Sequence, residues 1–318
     1  MIKNASFRPA WWLRHRHAQT IWPNLFRLTP KVDIRPERIE LPDGDFIDLA
    51  WTKGNSGPIV VIFHGLGGCV ESRYAKGLLK QFHRIGWRGV VMHFRGASHE
   101  SNRLARGYHA GESEDTGYII DLLAKREPHT RIAAVGISIG GSALLNLLAK
   151  RPDLPLRAAV AVSVPFDLHQ IADVMDRGFS RLYQWNILNT LKRKAQEKFR
   201  RITPPFDYQC IRGLRNFRQF DDVITGPLHG YRDARHYYDE CSALNHLRSI
   251  QHHTLIIHAA DDPFMNRDCI PDKASISATT TLEVFEKGGH VGFVSGRIPF
   301  MPHYWLETRI PTYLKQYL

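Results

Sequence analysis

The sequence has little cysteine and no pattern in what it has. Cys69, Cys210, Cys241 and Cys269 lie far apart and form no C-x-x-C. A disulfide framework or a structural zinc site is therefore not expected, and reduced thiols fit the cytoplasm better. No run of 18 apolar residues occurs, so no transmembrane helix is expected. The N-terminus has no apolar stretch followed by a small-residue cleavage site, and so no signal peptide is read there. The 17 histidines are scattered; His15/His17 and His252/His253 are pairs, but no H-E-x-x-H or comparable ligand set exists and no metal is expected. Acidic residues are also in short supply, 31 against 43 Lys plus Arg, for a formal charge of +12. A balance of that kind suggests an acidic partner: nucleic acid, an anionic membrane surface or an anionic substrate.

What is present is an ordinary globular composition, 43% hydrophobic and 23% charged over 318 residues. That is enough to bury a sizeable core. Asp43-Gly44 between two alternating runs, Val32 to Thr52, predicts a β-hairpin. Short continuous apolar runs then recur at residues 58–63, 89–94, 131–136, 158–162 and 254–257, with a weaker one around Val284. Strands apolar on both faces belong to a mainly parallel sheet. Helical patterns at Ser72–Ile85, Glu114–Lys125 and Ser142–Lys150 alternate with them, which gives an α/β doubly wound architecture. The alternation stops over residues 165–250, where helix-like segments Leu168–Met175 and Tyr183–Lys194 appear without a strand. The domain reading is a core of residues 31–164 and 251–318, a helical cap inserted at 165–250, and an N-terminal segment, 1–30, packed on or near the core. The basic run Lys192–Arg201 reads either as a solvated helix face or as part of a cap over a site.

Gly136-Ile137-Ser138-Ile139-Gly140 matches G-x-S-x-G, after an apolar strand and before an apolar helix. In that context the glycines permit a sharp turn that projects Ser138 as a nucleophile at the top of the sheet. His64-Gly65-Leu66-Gly67-Gly68 follows the first apolar strand and supplies close backbone approach. Neither a P-loop nor G-x-G-x-x-G fits it. The expected oxyanion donors are the backbone N–H groups of Leu66 and Ile139, with His64, Gly65 and Tyr108 as candidate substrate-binding residues. A serine nucleophile needs a base, and the base needs a carboxylate. His290 stands in a Gly-rich loop after the last strand. The adjacent Asp261-Asp262 leaves the acid open between two residues; alignment on an I-H-G-x-x-D-P strand end favours Asp262, with Asp261 capping or bracing the loop. A haloalkane dehalogenase is not expected, because its nucleophile is a carboxylate and this position is Ser.

These residues resemble the α/β-hydrolase superfamily, and more narrowly the YheT-type esterases, bacterial relatives of the eukaryotic abhydrolase-4 proteins. The closer likeness lies in His17-Ala18-Gln19-Thr20-Ile21-Trp22-Pro23, in Phe94-Arg95-Gly96, Asn102-Arg103-Leu104 and Tyr108-His109-Ala110-Gly111-Glu112, and in Asp261–Phe264 and Gly288–Phe293. The resemblance implies a Ser138–Asp262–His290 triad and hydrolysis of carboxylic esters, short- to medium-chain acyl esters or acylglycerols, with no cofactor. Ala97-Ser98-His99 and Ala259-Ala260 depart from its usual pattern and bear on substrate preference. A thioesterase, peptidase or acyltransferase on the same triad is the alternative, as is a peripheral membrane-binding protein with a decayed site. Trp11, Trp12, Arg14 and Arg16 would suit an anionic membrane interface; no nucleic-acid motif is present.

Overall fold

The computed structural model describes residues 7–318; residues 1–6, the start of the N-terminal segment, lie outside the described residues. Two hairpin strands, β1 (Ile34–Glu40) and β2 (Phe46–Thr52), pair antiparallel across Asp43-Gly44, with Gly44 in the left-handed region. The remaining strands of the large sheet are β3 (Ile59–Phe63), β4 (Arg88–Met92), β5 (Ile132–Ile137), β6 (Ala158–Val162), β7 (Thr254–Ala259) and β8 (Thr280–Phe285). Among the described residues the sheet has eight strands in the order β1-β2-β4-β3-β5-β6-β7-β8, parallel from β4 onward. A two-residue pair, β9 (Val294–Ser295) with β10 (His303–Tyr304), stands apart from it.

Burial on both faces explains the continuous apolar runs. In β3, Ile59, Val61 and Phe63 face one core, while Val60 and Ile62 face the other. The first core is closed by Ile119, Ile120 and Leu123 of α3 (Glu114–Arg126) and by Leu144, Leu147 and Leu148 of α4 (Ile139–Lys150). Leu78, Leu79 and Phe82 of α2 (Arg73–Arg84) close the second, together with Ile310 and Leu314 of α10 (Leu306–Leu314). Ahead of the sheet lies α1 (Arg16–Leu25), capped by the His15 ring.

Between β6 and β7 the chain forms α5 (Leu168–Met175), α6 (Ser180–Phe199), α7 (Phe217–Phe220), α8 (Gly226–His229) and α9 (Ala234–Cys241). α5 begins at Asp167, whose carboxylate accepts the N–H groups of His169 and Gln170. Part of this insertion has its own small core, in which Leu188, Phe199, Ile211, Leu214, Phe220 and Ile224 pack together. The run Lys192–Arg201 is not a uniformly solvated face. Arg193 and Glu197 are exposed, but Lys198 is buried because the helix turns it inward with Ala195 and Phe199.

Topology locates the crevice. From β3 the chain goes to β4 on one side, then returns to β5 on the other. The strand order therefore reverses between β3 and β5, and the loops leaving their carboxyl ends part there.

Candidate active site

Ser138 sits where β5 becomes α4, with φ 54° and ψ −123°. A non-glycine residue in the left-handed half of the map is strained. The strain is held by contacts that admit no side chains. A Cβ on Gly136 would stand 2.5 Å from the Gly140 oxygen. One on Gly140 would be driven into the backbone of Phe63 and His64. The glycines of G-x-S-x-G thus serve close packing of strand, turn and helix, and the turn pushes Ser138 outward.

The structure brings the three distant residues together. His290 Nε2 lies 3.0 Å from Ser138 Oγ, and His290 Nδ1 lies 2.8 Å from Asp262 Oδ2. Asp262 is buried, and its other oxygen accepts the Phe264 N–H at 2.8 Å. Asp261 faces elsewhere: its carboxylate accepts the Gly289 N–H at 2.9 Å, which braces the loop carrying His290. Burial raises the Asp261 pKa. Phe264 stacks on the His290 ring with centroids 4.0 Å apart.

The loop after β3 leaves one N–H uncommitted. Gly65 N–H donates to Tyr74 Oη, Gly67 N–H to Tyr108 Oη, Gly68 N–H to the Gly65 carbonyl and Cys69 N–H to Ser72 Oγ. Leu66 N–H has no partner among the described residues, nor does Ile139 N–H at the start of α4, and both residues line the cavity beside Ser138. His64, expected as a substrate-binding residue, does not line that cavity. Its ring is fully buried, with Nδ1 2.8 Å from the Gly65 carbonyl and Nε2 accepting the Phe94 N–H. Burial pushes its pKa down to about 3 and keeps it neutral, as an acceptor must be. Gly65 and Tyr108 do line the cavity, and Tyr108 also ties down the loop after β3.

Two further groups position the site and were not singled out in the sequence. Thr20 Oγ1, in α1, accepts the His290 backbone N–H at 2.9 Å, and Ser163 Oγ, after β6, accepts that of Val291 at 3.0 Å. Beside Thr20, Gln19 bonds to both the N–H and the carbonyl of Val294. A Cβ on Gly289, whose φ is +61°, would stand 2.7 Å from Thr20 Oγ1. The H-x-Q-T segment is therefore a clamp on the histidine loop. Its only advance signal was the resemblance itself. The block Phe94–Glu112 likewise finds its chemistry. Arg95 is buried and bidentate to Asp115 at 2.7 Å, with Asp43 at 2.6 Å. Asn102 Nδ2 donates to Asp45 at 2.6 Å. This network fixes the loop that delivers Tyr108 and His109 to the cavity wall.

The cavity measures about 610 Å³ and runs from Ser138 and His290 under α5 and α6. Met175, Ile187 and Leu191 are among its apolar lining. Among the described residues no group of His, Cys, Asp or Glu is placed to hold a metal ion, and no helix is long and apolar enough to cross a membrane.

A strained serine at a strand-to-helix turn, at the reversal point of a mainly parallel sheet, defines an α/β hydrolase. The family model described as alpha/beta hydrolase fold matches residues 58–296, and the chain belongs to that family. More particularly, it is 46% identical over 322 residues to the Escherichia coli (strain K12) protein "Putative esterase YheT", covering 99% of this chain and 94% of that one. It is 28% identical over 310 residues to "Phospholipase ABHD3" of Mus musculus, covering 94% and 75%. "Monoacylglycerol lipase" of Saccharomyces cerevisiae is 28% identical over 249 residues, covering 76% and 56%. Among solved structures, the Pyrococcus furiosus esterase Pf2001 superposes with a TM-score of 0.59 at 16% identity, covering 90% of this chain and 93% of that one, a likeness of fold.

Proposed function

We propose that the chain is a serine hydrolase that cleaves carboxylic esters of short- to medium-chain acyl groups through an acyl-enzyme. The observation that carries this reading is the unbroken line from Asp262 through His290 to Ser138, at 2.8 and 3.0 Å, beside two uncommitted backbone N–H groups. His290 Nε2 takes the Ser138 proton as Oγ attacks the ester carbonyl. Asp262 holds the imidazole tautomer and stabilises the cation. The N–H groups of Leu66 and Ile139 receive the oxyanion. His290 then protonates the departing alcohol, and in the second half activates the water that frees the acid and restores Ser138. Relatives named esterase, phospholipase and monoacylglycerol lipase support an ester or lipid substrate. In this reading the insertion 165–250 is the cap that shapes the pocket.

The test is covalent. A fluorophosphonate probe should label the protein, and the modified peptide should map to Ser138. An intact, folded protein that takes no label would overturn the reading.

A second element of the proposal is peripheral contact with an anionic membrane. The rim of the cavity at α1 is apolar and exposed: Leu25, Phe26 and Leu28 are exposed, as are Phe300 and Met301, and Trp22 packs against both Phe26 and Phe300. No acidic residue occurs before Asp33, while Arg14 and Arg16 are exposed. Such a surface fits anionic headgroups around a shallow apolar insertion. Co-sedimentation with anionic vesicles should weaken as salt rises; binding indifferent to salt would remove the electrostatic part.

A further inference from the structure

The cavity has two unlike ends, and α6 builds the difference. Its inward face carries Tyr183, Ile187 and Leu191, then Lys194 and Lys198, all lining the same space. The spacing is helical, so a single stripe passes from apolar to cationic along about four turns. The apolar part begins beside the histidine, where Tyr183 packs on Phe264 at 5.0 Å. The cationic part lies beyond the oxyanion loop. Thr190, one turn before Lys194, comes within 3.8 Å of the Cβ position of Gly67, and Lys194 Nζ is 3.4 Å from the Gly96 carbonyl.

The charge of Lys194 is not balanced by the protein. Lys194 forms no ion pair among the described residues, and its nearest acceptor is that one distant carbonyl. Lys198 Nζ donates to Asn102 Oδ1 at 2.8 Å and to the Arg106 carbonyl, both neutral. Arg95 pairs with three neighbouring carboxylates, Asp43, Asp45 and Asp115, and Asp45 also acts on Lys198. Asp221, a carboxylate that also lines the cavity, accepts from Tyr238 and Thr225, and burial raises its pKa to about 6. The buried histidines around this end, His64, His109 and His229, are all held neutral by desolvation. Desolvation lowers the pKa of both lysines, that of Lys198 to about 8. An ammonium withdrawn from water without a carboxylate is costly. The cost is recovered when a ligand brings the counter-charge into the cavity.

Resting on the reading of Ser138 as nucleophile, we propose that Lys194, backed by Lys198, is a binding subsite for an anionic group, phosphate or carboxylate, carried by the ester substrate. The preferred substrates are then anionic amphiphiles: the acyl chain lies between α5 and the first half of α6, the ester at Ser138, and the anion at the second half of α6. Lys194 is the specificity residue. Lys198 also holds the Asn102–Arg106 loop and is a positioning residue as well.

The experiment measures binding without turnover. Ser138→Ala protein is titrated calorimetrically with octyl phosphate and with 1-O-octylglycerol, which share a chain but not a charge. The phosphate should bind about tenfold more tightly, as a charge-assisted contact in a poorly solvated site predicts. Adding Lys194→Met should bring the two ligands to within about twofold, while adding Arg193→Met, the exposed neighbour on the opposite face, should leave the preference intact. Equal affinities in Ser138→Ala, a preference that survives Lys194→Met, or an equal loss in Arg193→Met would each overturn the proposal. Thermal melts of the double variants report folding, and fluorophosphonate labelling of the unsubstituted chain reports Ser138. Phosphate preference in Ser138→Ala beside an unsubstituted chain that fails to label would sink the hydrolase reading and leave this subsite standing.

Discussion

The loops at the carboxyl edge of the sheet and the insertion between β6 and β7 face the same cavity but are built in opposite ways. At the sheet edge almost every donor and acceptor is committed, and side chains are excluded by backbone. Gly140, Gly136 and Gly292 each lie where a Cβ would meet main-chain atoms. In the insertion, Gly178 and Gly213 meet nothing, and Phe179, Leu182 and Trp185 are left exposed. The contrast teaches a division of labour. The edge holds its donors and acceptors in place, as the proposed proton transfer and oxyanion stabilisation require. The insertion supplies part of the cavity wall, which in the proposed reading selects what enters.

Substitutions can break or sharpen that division. The largest effect belongs to Ser138→Ala, which should lower kcat for a p-nitrophenyl ester by about 10³-fold or more. A parent-like rate would move the reaction centre away from the sheet edge.

Acid should loosen the two regions next. His64, His93, His109, His229 and His258 are all shifted down by burial, to about 3, 3 and 4 for His64, His229 and His258. Each is neutral when folded but takes a proton near pH 6.5 when unfolded. Below that pH the unfolded chain binds more protons, so stability falls as pH drops from about 6.5 toward 4. Glu112 and Asp221, raised to about 7 and 6, and Asp261 and Glu307, also raised by burial, act in the opposite sense but are fewer. Thermal melts should therefore lose on the order of 5 kcal/mol over that interval, and His258→Gln should flatten the slope. A melting temperature constant from pH 7 to 4.5 would contradict the assignment.

A matched pair of glycine changes tests the contrast itself. Gly140→Ala should destabilise by about 3 kcal/mol, because backbone cannot yield to the new methyl. Gly213→Ala, in open space, should stay within about 0.5 kcal/mol. Equal effects in denaturant melts would erase the distinction. Smaller again is Thr20→Val, which removes the acceptor for the His290 N–H. It should cost about 1 kcal/mol of transition-state stabilisation, near fivefold in kcat with little change in KM. A change confined to KM would instead assign Thr20 to substrate binding.

The strands from β3 to β8 were legible because burial on both faces leaves continuous β-branched runs. Their ends were less so: the run 89–94 closes as a strand at Met92, since Phe94 turns away to pack on Tyr108. α4 starts at Ile139 rather than Ser142, because Gly140 and Gly141 are poor helix formers chosen there for contact. α7 and α8 carry no period at all. They are four residues each and are held by neighbours such as Asp221, which bonds to Tyr238 seventeen residues on. Ser138 and His290 stood out by local context. Thr20 could not, because its partner is 270 residues away.

Local chemistry by itself determined the parallel sheet, the strained serine turn and the glycine loops around it, since each depends on neighbours within a few residues. Only the tertiary structure decided which of Asp261 and Asp262 meets His290. Only it turned His64 from a pocket residue into a loop brace and withdrew Lys194 and Lys198 from the solvent face that their basic run suggested. Those outcomes rest on which distant groups share a buried space. Burial changes the free energy of a charge or an unpaired N–H in a way that one-dimensional spacing does not record.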